Sequence, residues 1–205
     1  MARYRGPRLR KCRAVGAVLP GLTTAGTLER PYPPGVHGQS RRSKPSEYKI
    51  RLIEKQKLRW HFGVLEKQFL RYIKEASRQK GPTGQNLAVI LESRLDNVVW
   101  RLGFSATIPA ARQLVVHQHI LVDGKRVDRP SYLLKAGQVI SIREKSRSKD
   151  FIQTALGLAA TRVRPQYLEM DPAKAEGTMV ATPVAEDLPL PVNLQAIVEY
   201  YSQTI

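Results

Sequence analysis

Positive charge is unevenly spread along this chain, and that asymmetry limits what the chain can fold into more than any other feature. Residues 1–80 hold 20 Lys and Arg against 5 acids, residues 81–150 hold 11 against 6, and residues 151–205 hold 3 against 6. A compact body with a net charge of +17 repels itself unless a polyanion neutralises it. The first two thirds are therefore expected to present surfaces to an anionic partner, with nucleic acid the leading candidate. The single cysteine permits no internal disulfide and fits a reducing compartment. No stretch approaches the ~18 apolar residues that cross a bilayer, so no membrane role is expected.

Residues 1–45 read as a basic extended arm. Arg3, Arg5, Arg8, Arg10, Lys11 and Arg13 precede a short apolar run, Ala14 to Leu22, which superficially resembles a secretory signal; Gly16, Pro20 and Gly21 break it. Pro31, Pro33, Pro34, Gly35 and Gly38 oppose regular helix, while Arg41, Arg42 and Lys44 continue the charge. An arm of this kind is expected to order only against its partner.

A helix is predicted from about Pro45 or Ser46 to Phe62, stopped at Gly63, and a second from Val64 to Lys80 with Leu65, Phe69, Tyr72, Ile73 and Ala76 inward. A third places Leu87, Leu91, Leu95, Val98 and Leu102 on one face before Gly103. A fourth starts from the N-cap Thr107 with Pro109 in its first turn. The period then changes. Ile120 to Val122, the Asp123-Gly124 turn and Lys125 to Val127 read as a β-hairpin, and Val139 to Arg143 as a further strand. The fold class is therefore α+β, with a small unit of two helices and short strands over residues 93–145.

No pattern nominates a catalytic group, metal or cofactor. CxxC, HExxH and glycine-rich phosphate loops are absent from the sequence, and His117 and His119 are two apart, a spacing that does not face one ligand on a helix.

The segment Glu92-Ser93-Arg94-Leu95-Asp96-Asn97-Val98-Val99-Trp100-Arg101-Leu102-Gly103-Phe104 resembles the family of the fourth protein of the small ribosomal subunit, bacterial or plastid type. So do Ala110 to Val115, His117, His119-Ile120, Asp123-Gly124-Lys125, Pro130-Ser131-Tyr132 and Gly137. Upstream, Tyr4-Arg5-Gly6-Pro7, Arg30 to Gly35 and Glu54 to Arg59 carry the same likeness, as does Ile197 to Ser202 at the end. The resemblance implies a helical domain over residues 46–92, completed by about 176–205, with an RNA-binding domain at 93–175 inserted between. It also implies direct binding of small-subunit ribosomal RNA and early nucleation of the subunit body. By the same likeness the chain would lie near the messenger entry channel, beside the fifth protein, and influence decoding accuracy in bacterial cytoplasm or plastid stroma. No stable homo-oligomer is expected.

Some relatives hold zinc with four N-terminal cysteines; here only Cys12 stands at a comparable place, so no metal is expected. Gln138 stands where the family often has an acid. Residues 151–192 match weakly.

Recognition of such RNA should rest on shape and charge, which Arg and Lys supply. The candidate contacts are Arg94, Arg112, His117, Lys125 and Arg126 in the 93–145 unit. In the arm and first helix they are Arg3, Arg5, Arg8, Arg10, Arg41, Arg42, Lys44, Lys55 and Arg59. The rival class is an RNA-modifying enzyme or RNA chaperone that borrows the same small unit. An enzyme would need a catalytic domain, yet only about 55 residues follow position 150.

Overall fold

The computed structural model describes residues 4–40, 44–159, 163–171 and 174–202. They form two compact units, one of residues 1–87 with 189–205 and one of residues 88–188.

The first unit is helical. It contains α1 (Arg8–Val15), α2 (Glu47–His61), α3 (Glu66–Arg78) and the start of α4 (Thr83–Glu92), and the chain returns to it at its far end as α9 (Leu194–Ser202). Ser46 caps α2 by accepting a hydrogen bond from the Lys49 N–H at 3.3 Å, and Glu47 sits at the positive end of the helix dipole. Phe69, Tyr72, Ile73 and Ala76 form the buried stripe of α3. The last helix lies along α2, where Arg51 Nε donates to Glu199 at 3.0 Å and the Asn193 N–H donates to Glu54 at 2.9 Å.

The arm is not wholly extended, contrary to the expectation from its composition. Residues 8–15 are helical, and Gly16 ends that helix at a φ of 70°, where a side chain would be strained. Cys12, Val15, Leu19 and Leu22 are buried together with Leu190, with Ile53, Trp60 and Val192 packed against them. Arg13 ties the proline segment back, donating to the Tyr32 carbonyl at 3.0 Å and the Pro33 carbonyl at 3.2 Å. The apolar positions 12, 15, 19 and 22 repeat at helical spacing across the Gly16 break, and that short stripe outweighs the surrounding charge.

The second unit joins helices to an antiparallel sheet of order β2-β1-β3-β5-β4. Its elements in chain order are α5 (Leu95–Arg101), α6 (Ile108–Val116), β1 (Ile120–Val122), β2 (Lys125–Arg126) and β3 (Val139–Ile142). They continue with α7 (Glu144–Arg147), α8 (Asp150–Ala159), β4 (Leu168–Asp171) and β5 (Glu176–Met179). Thr107 caps α6 through the Ala110 N–H at 3.4 Å. The hairpin turn places Asp123 and Gly124 at φ 50° and 74°, a pair of left-handed residues that matches strand twist.

The single helix expected across Leu87 to Leu102 is two helices. At Ser93 and Arg94 the backbone leaves the helix, and this junction with the first turn of α5 pairs with residues 130–134: the Leu95 N–H donates to the Tyr132 carbonyl at 2.8 Å, and the Leu134 N–H to the Ser93 carbonyl at 2.8 Å. The apolar period runs unbroken through this break: Leu87, Leu91, Leu95, Val98 and Leu102 are all fully buried on either side of it. β4 and β5 complete the sheet from the weakly matching segment. Gly177 lies where an added Cβ would run into the buried Leu102 side chain, so the strand's inward position is read as empty in the sequence although it is tightly packed.

Candidate nucleic-acid interface

Two buried carboxylates organise the cations of the second unit. Asp96, in the first turn of α5, receives Arg94 Nε on Oδ1 at 2.9 Å and Arg94 Nη2 on Oδ2 at 2.6 Å. Arg112, from α6, reaches the same Oδ2 with Nε at 3.1 Å and Nη2 at 2.7 Å. The carboxylate is fully buried, and the side chains of Arg94 and Arg112 retain only 4% and 12% of their exposure. Arg94 precedes α5 in extended conformation, with φ −67° and ψ 137°. That turn of the backbone brings residues two apart together, which a continuous helix would forbid.

Glu92 is the second hub. Its carboxylate accepts from Asn97 Nδ2 at 2.7 Å, Arg101 Nη2 at 2.9 Å and the Tyr167 hydroxyl at 2.8 Å. Burial, followed by the adjacent Glu92 charge, pushes the Tyr167 hydroxyl well above its ordinary pKa, so it stays a donor.

A third acid does the same work in the first unit. Glu66 accepts from Lys55 Nζ at 2.9 Å, Arg59 Nη1 at 2.6 Å and the Tyr201 hydroxyl at 2.6 Å. Partial burial raises its pKa, but the Tyr201 and Lys55 hydrogen bonds and the Lys55 and Arg59 charges outweigh that and hold it below the usual value. Lys55 is itself buried and lies 4.5 Å from the Tyr200 ring centroid.

These pairings engage four of the expected contact residues within the protein itself. Arg94 and Arg112 are bound to the buried Asp96 and Lys55 and Arg59 to the partly exposed Glu66, and Arg94 and Lys55 are themselves buried. The signal that could have separated them is the pair of acids Asp96 and Glu66, each of which holds two of these cations. Arg5, Arg8, Arg10, Lys44, His117, Lys125 and Arg126 are instead exposed. Arg3, Arg41 and Arg42 lie outside the described residues.

The hairpin tip is stiffened by Asp123, whose carboxylate accepts from the Val139 N–H at 2.9 Å and Gln138 Nε2 at 2.7 Å. Those donors, the backbone one first, hold its pKa below the ordinary carboxylate value. Gln138 thus suits its neighbour: an acid there would set two carboxylates face to face. Lys125 and Arg126 extend from this fixed tip.

One basic group that the sequence did not single out is Lys11. Its Nζ sits 3.4 Å above the Tyr4 ring and 5.2 Å from the Trp60 ring centroid. Burial, and then the charge of Arg59, lowers its pKa to about 8.

Among the described residues no group of three or more His, Cys, Asp or Glu is arranged to hold a metal ion, and no helix is long and apolar enough to cross a membrane.

Comparison with known proteins extends over the whole chain. Residues 3–92 match the family described as Ribosomal protein S4/S9 N-terminal domain, and residues 93–140 match the S4 domain. A protein of Geobacillus sp. (strain WCH70), named small ribosomal subunit protein uS4, is 51% identical over 203 residues, covering 99% of this chain and all of its own length. Proteins of the same name from Synechococcus sp. (strain RCC307) and Prochlorococcus marinus (strain MIT 9303) are 51% and 48% identical over 205 residues, covering both chains completely.

Proposed function

Because this chain belongs to the uS4 family of small ribosomal subunit proteins, a family of structural, RNA-binding constituents of the ribosome, we propose that it holds small-subunit ribosomal RNA through two sets of outward cations. One set is Arg5, Arg8, Arg10 and Lys44, with Arg3, Arg41 and Arg42 alongside in sequence; the other is His117, Lys125 and Arg126. The observation that carries this reading is the division of the cations into those bound by acids and those exposed. Arg94, Arg112, Lys55 and Arg59 set the shape of the surface, and the exposed groups meet phosphate. The RNA-binding domain then corresponds to the second unit, residues 88–188, and the helical domain to residues 1–87 with 189–205; β5 at Glu176–Met179 moves the C-terminal boundary from the expected 175 to 188.

Family membership also supports the finer reading. The chain would join the body of the subunit early, beside the fifth protein and near the messenger entry channel, and would influence decoding accuracy in the cytoplasm. Its role there is structural and not enzymatic. The whole-length match to ribosomal relatives favours this over a modifying enzyme or chaperone that borrows only the small unit.

Salt titration tests the electrostatic core of the proposal. If the exposed cations neutralise on the order of 6–10 phosphates, affinity for small-subunit RNA falls by about 10³–10⁵ between 50 and 200 mM salt. Replacing Arg5, Arg8 and Arg10 with alanine should flatten the log–log slope by roughly 0.7–0.9 for each phosphate that the variant no longer neutralises. A slope that is flat in the parent chain overturns the proposal.

A further inference from the structure

A cleft of about 530 Å³ opens on the second unit, and none of the ion pairs described above uses it. Phe104 and Leu114 form part of its apolar wall, and Gln113, His117, His119 and Phe151 stand around it. Three rings share this space: His119 lies 6.3 Å from His117 and 6.1 Å from Phe151, centroid to centroid. The His119 ring is fixed by a 2.9 Å hydrogen bond between Nδ1 and Ser146 Oγ. Phe151, in the first turn of α8, keeps 51% of its surface exposed.

A single exposed phenylalanine is ordinary. This one faces a cleft whose rim is cationic. Lys149 Nζ lies 5.8 Å from the Phe151 ring centroid, and the positive charges of Lys149 and Arg143 both act on His119. Burial first, and then those charges with His117, holds the His119 imidazole below its ordinary pKa of 6.5. Near neutral pH it is therefore an uncharged, flat ring with one nitrogen already engaged.

An occupant that satisfies this site needs a flat aromatic face and a negative charge close to it. A nucleotide has both, whereas an apolar side chain of a neighbouring protein lacks the charge. We propose that this cleft receives one unstacked nucleobase of an RNA strand, lying against Phe151 and His119, with Lys149 meeting the adjoining phosphate. Gln113, exposed on α6, supplies an amide able to donate to or accept from the base edge. The inference rests on the RNA-binding reading above and adds to it an interaction that only single-stranded or bulged RNA can make.

The test uses the full chain and three probes: a small-subunit RNA, an oligoadenylate of 12 nucleotides carrying one 2-aminopurine, and a 12-base-pair RNA duplex. The parent chain should change the 2-aminopurine fluorescence on binding. Phe151→Ala should weaken oligoadenylate binding by about tenfold, within the range for removing one base–aromatic stack, and leave duplex affinity within about twofold. Phe151→Tyr should behave as the parent. Equal affinity of parent and Phe151→Ala for the single strand, as a protein occupant would give, overturns the proposal. So does an equal loss on strand and duplex. Failure of the parent chain to bind the small-subunit RNA overturns the underlying reading instead.

Discussion

Asp96→Asn removes one charge and almost no volume from the centre of the second unit. In the parent chain that carboxylate holds two guanidinium groups, at 2.6 Å and 2.7 Å, with no exposed surface of its own. With an effective dielectric of about 20 and roughly 4 Å between charge centres, each pair contributes about 4 kcal/mol of attraction, which desolvation largely offsets. Removing the acid leaves the desolvation cost in place and adds repulsion between Arg94 and Arg112. Breaking a buried pair in this way costs about 3–5 kcal/mol. At about 2–4 °C per kcal/mol for a chain of this size, the melting temperature should fall by about 6–20 °C. The assay is thermal and urea unfolding of the full chain by circular dichroism. A companion variant with Arg94→Met, Asp96→Leu and Arg112→Met should recover most of the loss, because no charge is then left unpaired. If Asp96→Asn melts within about 1 kcal/mol of the parent, the carboxylate is not the clamp that its geometry implies.

Deletion of residues 1–45 should destabilise the protein as well as weaken RNA binding, because Cys12, Val15, Leu19 and Leu22 are core residues. Each buried aliphatic side chain contributes about 1.5–3 kcal/mol, so a loss of more than about 10 °C in melting temperature is expected, and an unchanged melt of the 46–205 fragment would refute this. Acid should act through Glu66, whose folded pKa lies below its ordinary 4.5. Its contribution is complete above pH 4.5 and is lost as pH falls through the folded value, so the melting difference between the parent and Glu66→Gln should shrink across that window and stay constant above it.

Much of the architecture is legible in the sequence because it depends on local signals. Ser46 and Thr107 cap helices, and Asp123-Gly124 turns a hairpin, for reasons that span no more than four residues. The features that escape such reading depend on distant partners. The break between α4 and α5 exists because residues 93–96 take their hydrogen bonds from residues 130–134, about 40 positions away. β5 is hidden because its inward position is Gly177, whose missing side chain is replaced by Leu102. The arm misleads in the opposite sense: its prolines and arginines dominate the composition, while four apolar residues decide where it packs. The same distinction separates the site residues. Arg94, Arg112, Lys55 and Arg59 look like any other arginine or lysine in a basic chain, and only the positions of Asp96 and Glu66 in space show that they are ion-paired.

Net charge is therefore a poor measure of the surface that RNA meets. Residues 1–80 carry 5 acids, and one of them, Glu66, binds two cations at once. In the second unit Asp96 likewise serves two. An acid shared between two cations leaves one unit of positive charge in the cluster and fixes both side chains. Lys125 and Arg126, on a hairpin that Asp123 braces, have less freedom to lose on binding than the same groups on a disordered tail. That saving accrues to affinity without any new interaction. It also sets a difference between two kinds of substitution. Arg126→Ala should weaken RNA binding and shallow the salt slope while leaving the melt unchanged. Arg112→Ala should lower the melting temperature first, and weaken binding only as far as the shape of the α5–α6 pair is lost.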